Sequence, residues 1–164
     1  MTKFRATADL FDSYGDRLES CATQLLNYGG RTQFEGPIAT LRTYEDNAVL
    51  REIVHEAGDG KVLVVDAGAS LRTAVLGDQL AEVAATKGWS GLVIYGAVRD
   101  VAALRELSIG IKALGSNPRK SRKEGAGSRG NTLSFGGALF TPGRKLVADD
   151  DGIVVLPEAL SASH

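Results

Sequence analysis

Apolar and polar positions in this chain follow two different periods. The unbroken runs Val62-Leu63-Val64-Val65 and Leu92-Val93-Ile94-Tyr95 read as strands covered on both faces. Helical spacing appears in residues 78–87, where Leu80, Ala81, Val83 and Ala84 fall inward and Gly88 stops the helix. A second helix runs from a cap at Asp46 or Asn47 to about Ala57, with Val49, Leu50, Ile53 and Val54 on one face and Gly58-Asp59-Gly60 at its end. Ile38 to Tyr44 alternates as a strand does. The pattern further predicts a short helix at 5–12 around Leu10 and Phe11, an irregular stretch at 13–36, a short strand at 73–76 and a short helix at 100–107. A strand at 109–114, a polar loop at 115–131 and late strands at 133–140, 145–148 and 153–156 complete it. Helices and strands mix in the first half and strands dominate the second. The expected fold class is therefore α/β with an added β layer rather than a purely doubly wound sheet.

Composition narrows the function classes. A length of 164 residues fits one domain over 1–164, large enough for a real core. A net charge of −1 gives no general attraction to nucleic acid, and none is expected as a direct partner. No apolar run nears the roughly 18 residues of a membrane span, and Met1-Thr2-Lys3-Phe4-Arg5 does not open a signal sequence. The single Cys21 forms no internal disulfide, in keeping with a cytoplasmic protein. His55 and His164 are isolated, so no histidine and cysteine cluster has zinc spacing.

The chemistry concentrates in two short segments. Gly77-Asp78-Gln79-Leu80 opens the helix at 78–87, where backbone N–H groups of Gln79 and Leu80 and the helix dipole favour a small anion. Arg99-Asp100 follows the strand 92–95 and the turn Gly96-Ala97-Val98, at the carboxyl end of a strand, where α/β folds bind ligands. Arg99 can grip a carboxylate with two hydrogen bonds, and Asp100 can hold Mg²⁺ or Mn²⁺ with water in most other positions. Each acid also has a plainer reading as a helix cap. Together the three side chains suffice for enolate chemistry on a 2-oxo acid. Two other features carry less. Val64 to Ala69 has the look of a methyltransferase strand and glycine loop, a common punctuation in α/β chains. Arg119, Lys120, Arg122, Lys123 and Arg129 form a basic stretch without interleaved aromatics, suited to a phosphate, an acidic partner, a subunit contact or plain solvation.

Nearly the whole chain resembles the RraA-like family, which includes regulators of ribonuclease E activity and 4-hydroxy-4-methyl-2-oxoglutarate aldolases. The resemblance runs through Phe34-Glu35-Gly36-Pro37-Ile38-Ala39-Thr40, Val64-Val65-Asp66, Leu76-Gly77-Asp78, Gly91 to Asp100, Asn117-Pro118-Arg119-Lys120-Ser121, Phe135-Gly136-Gly137, Pro142-Gly143 and Ala148 to Gly152. Its specific part is an Asp, twenty residues, then Arg-Asp, met here by Asp78, Arg99 and Asp100. The resemblance implies a single β/β/α swivelling-type domain with mixed sheets in a trimeric ring, or a dimer of such trimers. It also implies a metal-dependent class II type pyruvate aldolase with oxaloacetate decarboxylase side activity. In that reading Asp100 holds the metal, and Arg99 with the Gly77, Asp78, Gln79 and Leu80 backbone binds the pyruvyl group. Asp78 and Arg99 act in catalysis. The chain departs from the family aldolases at Ala102 and Ala103, where they often carry a further acid, and in lacking their C-terminal extension beyond His164. The alternative implied by the same resemblance is a non-catalytic regulator that binds and inhibits a ribonuclease of the RNase E type.

Overall fold

A computed structural model describes residues 3–162; Met1, Thr2, Ser163 and His164, and with them one of the two isolated histidines, lie outside the described residues. The strands are β1 (Glu19–Ser20), β2 (Leu26–Asn27), β3 (Phe34–Arg42), β4 (Val62–Asp66), β5 (Ala74–Leu76), β6 (Gly91–Val98), β7 (Gly110–Ser116), β8 (Ser128–Arg129), β9 (Leu133–Phe135), β10 (Ala138–Phe140), β11 (Lys145–Asp149) and β12 (Gly152–Val155). The α-helices are α1 (Thr7–Tyr14), α2 (Ala48–Val54), α3 (Asp78–Thr86), α4 (Val101–Leu104) and α5 (Glu158–Ser161). No helix among the described residues is long and apolar enough to cross a membrane.

Four strands, β3, β4, β6 and β7, run parallel at the centre of a mixed sheet. β3 serves two neighbours on its other side. Phe34 to Pro37 pairs antiparallel with β11, and Leu41 and Arg42 pair antiparallel with β8. Beyond β11 the sheet continues through β12 to β1, and at the other end β2 borders β7. The continuous apolar runs are explained by what covers each face. Leu63, Val65, Leu92 and Ile94 pack on α2, α3 and α4 through Leu50, Ile53, Leu80, Ala84 and Leu104. Val62, Val64 and Val93 face the β9–β10 hairpin and the inner side of β11 and β12 through Phe135, Phe140, Leu146 and Ile153. Tyr95, Phe135 and Phe140 stack in series, with centroids 4.5 and 4.4 Å apart. A third cluster joins α1 to β11 and β12 through Leu10, Val147 and Val154.

Several boundaries differ from the sequence pattern. The strand expected at 133–140 is a hairpin, turned by Gly136 and Gly137 with φ of 60° and 73°, values that glycine adopts without a Cβ clash. The strand expected at Ile38 to Tyr44 starts earlier, at Phe34, and ends at Arg42, because Phe34 to Pro37 finds β11 as a partner; the rest of the stretch 13–36 holds a 3₁₀ turn (Gly15–Arg17) and the two-residue strands β1 and β2. These are too short to show a period. The polar loop 115–131 donates β8 to the sheet for the same reason. In α1, Leu10 is buried but Phe11 is 48% exposed, because only one side of the helix meets the sheet.

Candidate functional site

The spacing between Asp78 and Arg99 is the length of one parallel crossover. β5 leads into α3, the chain returns along β6, and Leu76 of β5 then pairs with Val98 of β6. The residues that follow each strand, Gly77-Asp78 and Arg99-Asp100, therefore lie side by side, and the Arg99 N–H donates to the Leu76 carbonyl at 2.9 Å. β6 reaches this position through an irregularity between Ile94 and Ala97, beyond which β5 is its neighbour.

The capping expectations change in detail. Gly77 takes the N-cap position of α3, and Asp78 is the first helical residue. Asp100 stands at the N-cap of α4, yet its carboxylate makes no capping bond there. Instead its Oδ2 accepts the Asp78 N–H at 3.1 Å, so it caps the neighbouring helix. This leaves Gln79 and Leu80 with first-turn N–H groups that find no partner among the described residues. Asp100 holds a left-handed conformation, φ 60° and ψ 41°, which is costly for any residue with a Cβ and least so for Asp and Asn. Gly77 is extended (φ −126°), so it is not needed for its dihedrals. It is needed for space: a Cβ there would lie 2.7 Å from Asp100 Oδ2 and 3.3 Å from Arg99 Nε. Arg99 donates from Nη1 to the Pro118 carbonyl at 3.3 Å, and its Nε is 3.9 Å from Asp100 Oδ2.

A cleft of about 330 Å³ opens over these groups, lined by Gly77, Asp78, Gln79, Leu80, Arg99 and Asp100. All six residues singled out in the sequence thus share one site. The cleft's remaining wall was not foreseen. Asn47 and Arg51 come from the start of α2, Ala74 from β5, and Lys120 and Lys123 from the basic loop. Four cationic side chains face two carboxylates in a chain whose overall charge is −1. Such a surface suits a ligand with more than one negative charge. Asn47, read only as a cap, is 9% exposed and makes no side-chain cap bond, and its Oδ1 is buried with no hydrogen-bond partner among the described residues. The available signal was the basic run itself, but nothing local tied Lys120 and Lys123 to α2.

The donor set also bears on a metal. No group of three or more His, Cys, Asp or Glu side chains suited to an ion occurs among the described residues. A dedicated protein cage is therefore absent there. Among the described residues Asp100 Oδ1 has no hydrogen-bond partner, while Oδ2 is engaged by the Asp78 N–H, and the side chain is 36% exposed. One available carboxylate oxygen facing an open, wet cleft fits Mg²⁺ or Mn²⁺, which keep several waters and take one or two carboxylates.

Solved structures with the same architecture extend over almost all of the chain. The RNA-processing inhibitor RraA from Thermus thermophilis is 47% identical with a TM-score of 0.91, matching 95% of this chain and 94% of that one. An S-adenosylmethionine:2-dimethylmenaquinone methyltransferase from Geobacillus kaustophilus HTA426 is 44% identical with a TM-score of 0.94, matching 98% and 99%. RraAS2 from Streptomyces coelicolor, an unusual member of the RNase ES inhibitor RraA protein family, is 29% identical with a TM-score of 0.74, matching 94% and 81%. The family profile described as RraA-like: Aldolase/RraA matches residues 6–155. With its Asp78, Arg99 and Asp100 on adjoining strand ends and this profile spanning all but the chain's extremities, the protein belongs to the RraA-like family.

Proposed function

We propose that this protein is a divalent-metal-dependent carbon–carbon lyase. It would release pyruvate from 4-hydroxy-4-methyl-2-oxoglutarate or a related 4-hydroxy-2-oxo acid, and decarboxylate oxaloacetate as a side activity. The observation that carries this reading is the convergence of Asp78, Arg99 and Asp100 on an α3 N-terminus with two N–H groups to give. The Gln79 and Leu80 N–H groups receive the carboxylate next to the 2-oxo group, where the helix dipole favours an anion. Arg99 donates to the 2-oxo oxygen as negative charge grows on it. Asp78 takes the 4-hydroxyl proton through a water as the C3–C4 bond breaks. The bonding pair passes to C3, C4 becomes a ketone, and a proton returned to C3 completes pyruvate. A Mg²⁺ or Mn²⁺ held by Asp100 would supply Lewis-acid polarisation of the 2-oxo group. Arg51, Lys120 and Lys123 offer charge to a second carboxylate. The test is pyruvate release from both substrates with Mg²⁺, with EDTA and in Asp100→Asn. Turnover that survives either EDTA or the substitution refutes the mechanism.

A second reading, a regulator that binds a ribonuclease, is favoured by the inhibitors among its structural relatives. The exposed Arg119, Lys120, Arg122 and Lys123 would then meet an acidic surface. A homotrimer, or a hexamer of two trimers, belongs to both readings and is measured by sedimentation equilibrium. Inhibition of a purified ribonuclease that persists in Asp100→Asn would separate regulation from lysis. Methyl transfer has weaker support. The Gly68 turn that follows β4, φ 67°, is covered by the Tyr44 ring, which a Cβ at Gly68 would strike.

A further inference from the structure

We infer that Asp46 is a positioning residue: it fixes Lys123 over the cleft and so sets a preference for substrates with a second carboxylate. This rests on the functional reading above for the identity of the ligand, and on the following geometry for the rest. From Arg122 to Thr132 every residue is exposed, and the preceding Ser121 is buried. No apolar side chain anchors this basic strap, so its place must be set by hydrogen bonds. Ser121 is tied to β5, its N–H and Oγ both donating to the Ala74 carbonyl at 3.2 and 2.9 Å. Arg122 bridges to both neighbours of Asp46: its N–H donates to the Glu45 carbonyl and its carbonyl accepts the Asn47 N–H. The two residues after Lys123 are held by one carboxylate. Glu124 N–H donates to Asp46 Oδ2 at 2.8 Å and Gly125 N–H to Asp46 Oδ1 at 3.2 Å.

The same carboxylate reaches the opposite wall. Asp46 Oδ1 also accepts the Ala48 N–H at 3.0 Å, at the start of the helix that carries Asn47 and Arg51. One side chain, 3% exposed, therefore joins the strap bearing Lys123 to the helix bearing Asn47 and Arg51, all three of which line the cleft. Burial pushes the Asp46 carboxyl up, but the backbone N–H groups of Ala48, Glu124, Gly125 and Ala126 outweigh it and hold the group below the usual carboxylate range. It is ionised at neutral pH and its bonds are charge-assisted. The catalytic half of the site stands on β5, β6 and α3, none of which bonds to the Asp46 carboxylate. Loss of Asp46 should thus release the reader of the second carboxylate and leave the pyruvyl half intact.

The test measures binding of pyruvate and of 2-oxoglutarate, a 2-oxo acid with a second carboxylate, to Mg²⁺-loaded protein by calorimetry. The unsubstituted protein should prefer 2-oxoglutarate. Asp46→Ala should weaken 2-oxoglutarate by about tenfold, the scale of one charged hydrogen bond, and leave pyruvate within about twofold, well inside that scale. Lys123→Met should give the same selective loss, and the double variant no further loss. Trypsin should cut after Arg122 and Lys123 faster in Asp46→Ala. Asp46→Asn, which keeps the side chain's shape and one acceptor oxygen, should show a smaller selective loss and guards against a folding failure. Equal weakening of both ligands, additive losses, or no preference in the unsubstituted protein would overturn the inference. Selective binding without any turnover would refute the lyase reading while leaving the role of Asp46 standing.

Discussion

Asp100 is expected to separate the structural from the chemical demands on one residue when replaced by Asn, Gly and Ala. Two energies matter. The bond from the Asp78 N–H to Oδ2, at 3.1 Å and open to solvent, contributes about 1 kcal/mol, below the value of a buried charged pair. The left-handed backbone, φ 60°, costs about 1 kcal/mol more for Ala than for Asn or Asp, and nothing for Gly. Asn keeps an acceptor and tolerates the backbone, so its loss should stay within about 0.5 kcal/mol. Gly gives up the bond and gains the relief, for a net near zero. Ala gives up the bond and adds strain, for a loss of about 2 kcal/mol, or roughly 4–8 °C in Tm for a chain of this size. Thermal unfolding by circular dichroism at pH 7 in one buffer reads the stability order, Asn close to Gly and both above Ala. Oxaloacetate decarboxylation with Mg²⁺ reads the chemistry, which all three should lose because none retains the carboxylate. An Ala variant as stable as Asn would refute the energetic account. An Asn variant with full metal-dependent turnover would refute the role of the carboxylate.

Gly77→Ala should fold, since φ −126° is open to Ala, but its Cβ would displace the Asp100 carboxylate. Turnover should drop about 100-fold, the cost of a displacement near 1 Å, and a normal rate would show that the approach relaxes harmlessly. Asp149 is raised by burial but held lower overall by hydrogen bonds from Thr7 N–H and Oγ1 and the Asp151 and Gly152 N–H groups. Its contribution is therefore complete above the ordinary carboxyl value of about 3.9 and lost as pH falls through its lower folded value. Asp149→Asn should cost about 1–2 kcal/mol at pH 7 and flatten urea-unfolding stability against pH below about 4, and an unchanged acid profile would contradict this. Lys112 is 2% exposed, and burial pulls its ammonium down despite the nearby Asp149 and Asp150. Between its lowered folded value and the ordinary lysine value the unfolded chain binds more protons, so stability rises with pH there. Lys112→Met should remove that rise in alkaline urea titrations, and a rise that persists would assign it elsewhere.

The sequence by itself determined the elements whose periods are long enough to read. β4 and α3 were legible to within a residue or so, because an unbroken β-branched run and a 3.6-residue apolar stripe each have one economical way to be buried. The catalytic half of the candidate site was legible too, because Gly77, Asp78, Arg99 and Asp100 flank a single β5–α3–β6 crossover. Tertiary structure alone decided what those groups do locally. Asp100 caps α3 rather than its own helix, and Gly77 is required by Asp100's carboxylate rather than by its dihedrals. The cationic wall was likewise invisible, since Asn47, Arg51, Lys120 and Lys123 lie on segments far apart in sequence that Asp46 and the Arg122 bridges help bring together. Two-residue strands such as β1, β2 and β8 have no period at all. They exist because a neighbouring edge offers unpaired backbone groups, a property of the assembled sheet and not of their own side chains.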